Sequence, residues 1–477
     1  MEKQKNTPHN FDYFEQLAPR RAAIRRRHSY YWNDITRYLA YFVQEEQRVL
    51  EIGCGTAELL HDLPAQQKTG VDYSPTMIAE AKKQFPDLDL RVVNAENLDA
   101  LAGETYDVVI LSNLIGYIED IESVLAQVHK VCHSQTRVMV TYHNSLWEPI
   151  LNLGEKLGLK TAAPQQNWLT MTDINNLLYL AGFDVYRTVR RTLMPINIPI
   201  ISFLLNTYLA RIPGFRYFGI NMFAFARPIV PAEDVSEKYS VSIVVPARNE
   251  SGNIENAITR LPKFGKFQEI IFIEGNSTDD TWATIQRIKE KYDHSHRIVI
   301  GQQSGKGKGD AVRKGFGMAT GDILMILDAD LTVPPEDLPK FYNALATHKG
   351  DFINGTRLVY AMDEKAMRTL NRLGNKFFSM AFTWLLEQNF RDTLCGTKVL
   401  FNKDYQRLIR NRKFFGDFDP FGDFDLIFGA YKLNLKIIEV PIRYKERTYG
   451  DTNISRFKHG FILLRMCIFA LRKIKFY

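Results

Sequence analysis

Several familiar signatures are missing from this chain of 477 residues. It has only four cysteines, at positions 54, 132, 395 and 467, and no Cys-x-x-Cys pair. Their scatter argues against a disulfide framework or a zinc site and favours a reducing compartment. Neither a run of about 18 apolar residues nor the apolar core of an N-terminal signal occurs. We therefore expect no transmembrane helix and a cytoplasmic location.

Composition and charge indicate a folded chain with more than one domain. Hydrophobic residues make up 45% and charged residues 24% of the sequence, which is typical of globular proteins. The length exceeds what one ordinary core supports. The net charge of +7 suits acidic ligands such as nucleotides, phospholipids or an anionic membrane surface. No zinc-finger or RNP-type motif is present, so nucleic acid is not an expected partner.

Strand and helix patterns alternate in two successive series, which predicts two doubly wound α/β domains. We place the first domain at residues 1–226, a proline-bearing linker at 227–238 and the second domain at 239–477. Strands of the first series are predicted at 48–52, 68–72, 90–93, 106–112, 136–142 and 220–226. Strands of the second are predicted at 241–246, 268–273, 297–300, 322–327, 351–354, 397–401 and 435–440.

The run RVLEIGCGTAELL, which begins at Arg48, is the first chemically informative segment. A strand enters a turn at Gly53 and Gly55, and glycines there permit close approach of a ligand to backbone amides. The dinucleotide fingerprint requires a third glycine where Glu58 stands, so NAD is disfavoured. Asp72 ends the next strand, where a carboxylate can accept hydrogen bonds from both hydroxyls of a ribose.

Glu51, the glycine turn, Asp72 and the Asn-Ala-Glu sequence at 94–96 stand at successive strand ends. With them, residues 48–142 resemble a class I S-adenosylmethionine-dependent methyltransferase. The resemblance implies S-adenosylmethionine as the cofactor. It also implies a cofactor-binding set on the methionine, ribose and adenine sides, in that order: Glu51, Gly53 and Gly55; Asp72; Ala95 and Glu96.

The sequence leaves the methylated atom open. The Asn/Asp-Pro-Pro-aromatic signature of nitrogen methylation is absent, because Leu111-Ser112-Asn113 stands at its place, and an oxygen acceptor is favoured. Deprotonating a hydroxyl requires a base, for which His129 and His143 are candidates. A structural role is the alternative for each histidine. The arginine-rich stretch 20–27 is interpreted as a solvated helix face or as a phosphate or lipid contact.

Four carboxylates follow strand patterns in the second domain. Glu250 and Glu274 come after its first two strands, and the run LMILDADLTVP places Asp328 and Asp330 at the end of another. Two carboxylates at this spacing can hold a divalent cation together with the oxygens of a diphosphate. The loop GQQSGKGKGDAVRKG suits a phosphate-rich ligand, although it lacks the Ser or Thr of a Walker A loop.

Residues 240–455 resemble family 2 glycosyltransferases of the GT-A fold, and most of all the dolichyl- and polyprenyl-phosphate mannose and glucose synthases. The segments GDILMILDADLTVPPEDLP, NGTRLV, DTLCGTKVLF and RTYGDTNIS carry the resemblance. It implies an inverting sugar transfer from a GDP- or UDP-linked donor, aided by Mg²⁺ or Mn²⁺. The implied donor-binding residues are Pro246, Glu250, Glu274, Lys308, Asp328 and Arg357. The implied metal ligands are Asp328 and Asp330, and the implied catalytic residues are Asp328, Asp330, Asp423 and Arg447.

Two positions depart from the pattern of that family. Gly275 stands where a second acid usually follows the first, and Thr332 stands where the polyprenyl-phosphate enzymes tend to have glutamine. A set of arginines suits an anionic acceptor, although each also suits a surface ion pair: Arg357, Arg368, Arg372 and Arg447. A lipid phosphate needs no strong base, whereas a sugar hydroxyl does, and Asp423 is then the candidate, with Asp425 behind it.

The two halves together predict a bifunctional enzyme acting in one pathway, such as a methylated cell-envelope glycan or lipid-linked sugar. The acceptor is a polyprenyl phosphate or a glycan. The alternative is that one half, and more readily the glycosyltransferase, is an inactive scaffolding module. Apolar stretches at 193–220 and 377–386 and a basic apolar tail at 461–477 favour peripheral contact with the inner face of the plasma membrane. Core packing is the alternative for the tail.

Overall fold

The computed structural model describes residues 10–158, 164, 166–230, 234–357, 369–410, 424–442, 449 and 456–475. The chain separates into two compact units, Met1–Ile229 and Val230–Tyr477. Each unit contains its own mixed α/β sheet and its own apolar core. The predicted fold class is confirmed.

In the first unit, the described residues form one sheet that is covered by helices. Its strands are β1 (Arg48–Ile52), β2 (Gln67–Asp72), β3 (Asp89–Val92), β4 (Tyr106–Ser112), β5 (Cys132–His143), β6 (Phe183–Arg191) and β7 (Asn221–Pro228). Its helices are α1 (Phe11–Arg27), α2 (Ser29–Ala40), α3 (Glu58–Asp62), α4 (Pro75–Gln84), α5 (Ile121–Val128), α6 (Glu148–Lys156), α7 (Met171–Leu180) and α8 (Ile201–Thr207).

The first sheet has the strand order β3-β2-β1-β4-β5-β7-β6. β1 to β5 are parallel, and β7 runs antiparallel to β5 and β6. The buried strands are near-continuous apolar runs because helices cover them, as the Val108–Leu111 stretch of β4 illustrates. Since the strand order reverses at β1, a crevice opens beyond the carboxyl ends of β1 and β4, where ligands bind in such sheets.

The strand β6 is absent from the prediction. Its alternating pattern is concealed because two arginines point into the protein. The Arg187 guanidinium carbon lies 4.6 Å from the ring centre of Phe42, and Arg191 pairs with Asp34 at 3.1 Å. The neighbouring strand β7 extends through Pro228, so the first two residues of the predicted linker, Arg227 and Pro228, belong to a strand.

The second unit is built in the same way. Its strands are β8 (Ser240–Ala247), β9 (Phe267–Glu274), β10 (Arg297–Gln302), β11 (Ile323–Ile326), β12 (Phe352–Thr356), β13 (Lys398–Phe401) and β14 (Ile437–Pro441). Its helices are α9 (Ile254–Thr259), α10 (Thr281–Tyr292), α11 (Lys308–Met318), α12 (Leu338–Ala346), α13 (Thr369–Leu386), α14 (Asn402–Arg410), α15 (Phe424–Lys432) and α16 (Arg456–Ala470).

The second sheet has the order β10-β9-β8-β11-β13-β12-β14. β8 to β11 are parallel, and β13 runs antiparallel to β11 and β12. The order reverses at β8, so the crevice of this sheet lies beyond the carboxyl ends of β8 and β11. None of the helices in the described ranges combines the length and apolarity that crossing a membrane requires.

Candidate active sites

Asp72 is fixed at the carboxyl end of β2 by two backbone amides. Gly55 N–H donates to Oδ2 at 2.9 Å, and Ser74 N–H donates to Oδ1 at 3.0 Å. Burial raises the pKa of Asp72, although these two hydrogen bonds act to lower it. Each carboxylate oxygen keeps acceptor capacity beyond its amide contact. The carboxylate is therefore oriented to accept hydrogen bonds from a pair of hydroxyls.

The turn after β1 requires glycine at two positions. Gly53 and Gly55 have φ angles of +73° and +55°, in the left-handed region that favours glycine. A Cβ atom on Gly53 would lie 2.7 Å from Leu114 Cδ1, and one on Gly55 would lie 2.7 Å from Arg21 Nε. The backbone of this turn therefore packs directly against the Arg21 guanidinium of α1.

Two arginines of α1 lie at this turn, next to Glu51. Arg21 Nε is buried and has no hydrogen-bond partner within the part of the chain that the structure describes. Arg25 Nε lies 3.9 Å from Glu58 Oε2. Burial raises the pKa of Glu51 to about 8, and the two arginines oppose that rise. A guanidinium with an unsatisfied Nε and a buried carboxyl fit the carboxylate and ammonium of an amino-acid group.

The adenine-side candidates lie in the turn after β3. Ala95 is half-buried and Glu96 is exposed. Nearby, Glu15 of α1 accepts hydrogen bonds from the Ser74 hydroxyl and, at 2.5 Å, from Thr76 Oγ1, both at the start of α4. The helix α1 therefore contacts both the glycine turn and the end of β2, and it borders the crevice along its length.

The two candidate bases occupy opposite ends of the sheet. His143 is the last residue of β5, on the crevice side, and its Nδ1 lies 3.1 Å from the Tyr31 hydroxyl. His129 precedes β5, stacks on Phe183 with ring centres 4.0 Å apart, and its Nε2 lies 2.6 Å from Ala181 O. His129 thus has the structural role, because the amino ends of the strands lie away from the crevice.

In the second unit, Asp328 follows β11 and pairs with Lys308 of α11, with 2.6 Å between Oδ1 and Nζ. Burial acts to raise the pKa of Asp328, but the charges of Lys308, Lys398 and Arg357 outweigh it and hold the pKa below its ordinary value. A Cβ atom on Gly396 would lie 1.8 Å from Asp328 Oδ2. The backbone at Gly396 therefore packs directly against the ion pair, and a larger residue at this position would collide with it.

Asp330 is oriented by a residue that departs from the family pattern. Its Oδ1 accepts hydrogen bonds from the Thr332 N–H at 3.1 Å and the Thr332 hydroxyl at 2.8 Å. Across the described residues, no cluster of three or more His, Cys, Asp or Glu side chains is positioned to hold a metal ion. Asp328 and Asp330 fit a cation that also takes ligands from substrate phosphates, as Mg²⁺ commonly does.

Glu250 and Glu274 lie at the carboxyl ends of β8 and β9 and are buried. Glu274 accepts hydrogen bonds from Ser277 N–H at 2.5 Å and from Gln302 Nε2 at 3.1 Å. Glu250 Oε2 accepts one from Asn253 Nδ2 at 2.8 Å. Both acids thus lie at strand ends that border the same crevice as Asp328, and each accepts hydrogen bonds from nearby residues.

Other candidates have different surroundings. Arg357 makes a two-pronged ion pair with the buried Asp392, with both N–O distances at 2.8 Å, so its fork is engaged within the protein. Pro246 is half-buried within β8. The remaining predicted acceptor and catalytic residues have side chains outside the described residues: Arg368, Arg372, Asp423 and Arg447.

Three residues at these sites are not predicted from the sequence: Arg21, Lys398 and Gly396. Arg21 was assigned only to a basic cluster, in which Arg20, Arg26 and Arg27 are exposed. The fully buried Lys398 donates to Cys395 O and acts electrostatically on Asp328. Gly396 lies in a segment that carries the family resemblance, but the sequence does not indicate that this glycine packs against Asp328. Lysine inside the apolar run of β13 is the one sequence signal that was available.

Comparisons with known proteins match a different family model to each unit. The family model described as Glycosyl transferase family 2 matches residues 242–417, and the one described as Methyltransferase domain matches residues 50–138. The glycosyltransferase AglJ of Haloferax volcanii is 30% identical over 226 residues, which cover 47% of this chain and 69% of that protein.

Two further similarities are more partial. A dolichol-phosphate mannosyltransferase of Pyrococcus furiosus is 36% identical over 121 residues, covering 25% of this chain and 33% of that protein, so this chain spans about a third of its length. A structure of a SAM-dependent methyltransferase from Thermotoga maritima shares 18% identity, with a TM-score of 0.38, covering 46% of this chain and 99% of that chain.

These matches and the fold of each unit define a two-domain transferase. The chain belongs to glycosyl transferase family 2 through its second unit, and its first unit carries a methyltransferase domain. Both resemblances expected from the sequence are confirmed.

Proposed function

We propose that the chain is a bifunctional enzyme that transfers a sugar from a nucleotide sugar with one unit and a methyl group from S-adenosylmethionine with the other. The observation that carries the sugar-transfer half is the Lys308–Asp328 pair beside Asp330, at the reversal of strand order in the second sheet. The ammonium can contact a diphosphate directly, and the two carboxylates can contact it through a divalent cation.

The donor site follows from these charges. A bound Mg²⁺ or Mn²⁺ supplies neutralisation of the departing nucleoside diphosphate. Asp328 and Asp330 would hold this cation, and the Lys308 ammonium would donate a hydrogen bond to a phosphate oxygen. Glu250 and Glu274 border the nucleoside end of the crevice. Attack on the anomeric carbon from the face opposite the diphosphate inverts its configuration.

A polyprenyl phosphate is the proposed acceptor, ahead of a glycan. The Pyrococcus relative is named a dolichol-phosphate mannosyltransferase, and a lipid phosphate is already ionised at neutral pH. It therefore needs no strong base, and none is needed from the described residues of the crevice. The location we propose is the cytoplasm, with peripheral contact to the inner face of the plasma membrane.

The sugar-transfer half is tested with the purified full-length chain. We expect Mn²⁺-dependent turnover of GDP-mannose or UDP-glucose, with transfer to polyprenyl phosphate. Asp330→Ala should reduce it at least 100-fold, because an oriented metal ligand is lost. Glu336→Ala is the matched control, since Glu336 is half-exposed and pairs with Arg260 away from the crevice. Binding of nucleotide sugar without any turnover would instead support the scaffolding alternative.

The methyl-transfer half rests on the set around Gly53 and Gly55. S-adenosylmethionine, when bound, supplies an electrophilic methyl group on a sulfonium. We assign Asp72 to its ribose hydroxyls, and we assign Arg21 and Glu51 to its carboxylate and ammonium. His143 is the candidate to take the proton of an oxygen acceptor, because it ends β5 on the crevice side.

Binding calorimetry tests this half without any acceptor. Asp72→Ala should abolish measurable S-adenosylmethionine binding. Arg21→Ala should weaken binding at least tenfold, the value of one charge-assisted hydrogen bond. The same variant should leave binding of decarboxylated S-adenosylmethionine nearly unchanged. Arg20→Ala, an exposed neighbour on α1, is the control. Equal losses for both ligands would contradict the role proposed for Arg21.

We also propose that the two activities serve one pathway, which the joining of two transferases in one chain supports. Mass spectrometry of lipid-linked sugars in cells lacking the chain should show loss of a single methylated species. Two unrelated products, one lacking a methyl group and the other lacking a sugar, would contradict this proposal.

A further inference from the structure

The stretch between β6 and β7 of the first unit exposes an unusual number of large apolar side chains. The most exposed, with 51–74% of their surface accessible, are Ile196, Ile200, Ile201, Phe203 and Phe218. We name residues 196–218 the apolar surface. Scattered exposed apolar residues are ordinary, but a concentration in one segment marks an interaction site.

Two polar side chains of this segment, Ser202 and Asn206, are hydrogen-bonded to the backbone next to them. The buried Ser202 hydroxyl accepts from Ile198 N–H at 2.8 Å and donates to Ile196 O at 2.6 Å. Asn206 Oδ1 accepts from the N–H groups of Leu193 and Met194, at 2.8 and 2.9 Å. The segment is thus held in shape by its own hydrogen bonds, with its hydrocarbon directed outward. A loop of this kind is preorganised to bind an apolar medium.

The apolar surface continues onto the segment that follows β5. Trp147 Nε1 donates to Phe218 O at 2.6 Å, and Asn144 Nδ2 donates to Tyr217 O at 2.9 Å. Leu146, between them in sequence, is 60% exposed. Asn144 directly follows His143. The apolar surface therefore adjoins the crevice end of β5, where the methyl acceptor is expected to enter.

The stretch of sequence that forms the apolar surface carries charge of one sign. No acidic residue occurs between Asp184 and Glu233 in the sequence. Of the arginines in that stretch, Arg190 and Arg216 flank Tyr217, with their guanidinium carbons 5.4 and 5.6 Å from its ring centre. Apolar and aromatic side chains bordered by arginine are the composition of proteins that rest in the headgroup region of anionic bilayers.

A second copy of this chain fits the surface less well. A twofold interface would bring the same patch of both copies together, and with it Arg190 and Arg216 against their like-charged equivalents. An anionic bilayer meets the same arginines with opposite charge. The two partners are distinguished by experiment below.

We propose that the apolar surface docks the methyltransferase unit on an anionic membrane. Its isoleucine and phenylalanine side chains lie at the boundary between headgroups and acyl chains, and Arg190 and Arg216 contact lipid phosphates. Docking brings the end of β5 to the height of the lipid headgroups. The inference rests on exposure and charge in the first unit, so it holds whether or not the acceptor of either activity is a lipid.

The test is co-sedimentation of the full-length chain with phosphatidylcholine vesicles, with and without phosphatidylglycerol. The wild type should bind the anionic vesicles. Ile200→Glu combined with Phe203→Glu should reduce the partition coefficient at least tenfold. Arg216→Gln should reduce it about fivefold on anionic vesicles only, the value of one interfacial arginine. S-adenosylmethionine binding by each variant shows that the unit is folded.

Two control variants make the outcome specific. Leu180→Glu changes an apolar residue that is 56% exposed on α7 of the same unit, and it should leave vesicle binding unchanged. Phe461→Glu changes one that is 69% exposed on α16 of the second unit. The proposal is overturned if wild type does not bind, if Leu180→Glu matches the double variant, or if Phe461→Glu alone abolishes binding. It is also overturned if the double variant alters only the oligomeric state in light scattering.

Discussion

The Lys308 ammonium lies 2.6 Å from the Asp328 carboxylate at the carboxyl end of β11. A divalent cation on Asp328 would repel this ammonium, which then finds its next counter-charge on the donor diphosphate. The Lys308 side chain therefore couples binding of the metal to binding of the donor diphosphate. Without its ammonium, the metal and the donor should bind independently of each other.

Lys308→Met should weaken binding of the nucleotide-sugar donor. It should also move the pH below which Mn²⁺ binding is lost to a higher value. Lys308 holds the pKa of Asp328 below its ordinary value, so its loss raises that pKa. A higher pKa means that more protons compete with the cation at a given acidic pH. Mn²⁺ affinity measured from pH 3 to 7 checks the shift, and Lys340→Met, which breaks an exposed pair with Asp337, should show none.

Gly396→Ala should abolish sugar transfer. The new methyl carbon would lie 1.8 Å from Asp328 Oδ2 and 2.5 Å from Lys308 Nζ, so the ion pair must move. Gly317→Ala in α11 is the matched control, because a Cβ atom there meets nothing within 4 Å. Alanine in that helix should retain activity and raise stability by about 0.5–1 kcal/mol. Full activity of Gly396→Ala would show that the pair is dispensable.

Binding of S-adenosylmethionine at pH 7 should release a proton from Glu51. Burial raises the pKa of Glu51 to about 8, so the carboxyl is largely protonated at pH 7 in the free enzyme. An ammonium placed beside it favours the carboxylate and lowers that pKa. Calorimetry in buffers of different ionisation enthalpy measures the released proton, and Glu51→Gln should eliminate it. Release that persists in this variant would assign the proton to another group.

Asp34→Asn should destabilise the first unit. Asp34 pairs with the buried Arg191 at 3.1 Å and accepts a hydrogen bond from Thr192 Oγ1, which fastens α2 to β6. Breaking such a pair costs roughly 3–5 kcal/mol. Calorimetric melting at pH 7 measures the loss, and Asp12→Asn, on the exposed face of α1, should change stability by less than about 0.5 kcal/mol.

The pH dependence of that difference has a definite sign. Burial acts to raise the pKa of Asp34, but Arg191 and Arg211 outweigh it and lower the pKa to about 2. A depressed folded-state pKa contributes stability above the unfolded value of about 3.9 and loses it as the pH falls towards 2. The gap in melting temperature between wild type and Asp34→Asn should therefore narrow between pH 4 and pH 2. A constant gap would contradict the ion-pair account.

The strands that carry chemistry were predictable from sequence to within a few residues. Apolar runs that end in Asp72, Glu274 or Asp328 indicate both a strand and the residue at its tip, because side-chain polarity changes where burial stops. The exception among the strands is β6. Its buried arginines contact aromatic rings and an acid far away in sequence, which no local pattern reveals.

The sequence by itself determined the order of the strands apart from β6, the glycine-bearing and acid-bearing strand ends, and the families to which the two halves are similar. Tertiary structure alone decided that Arg21 lies over Gly55, that Gly396 packs against Asp328, and that Arg357 pairs with Asp392. The physical reason is common to all three. Each depends on which distant segments pack together, and sequence patterns report burial and periodicity but not the partner that provides them.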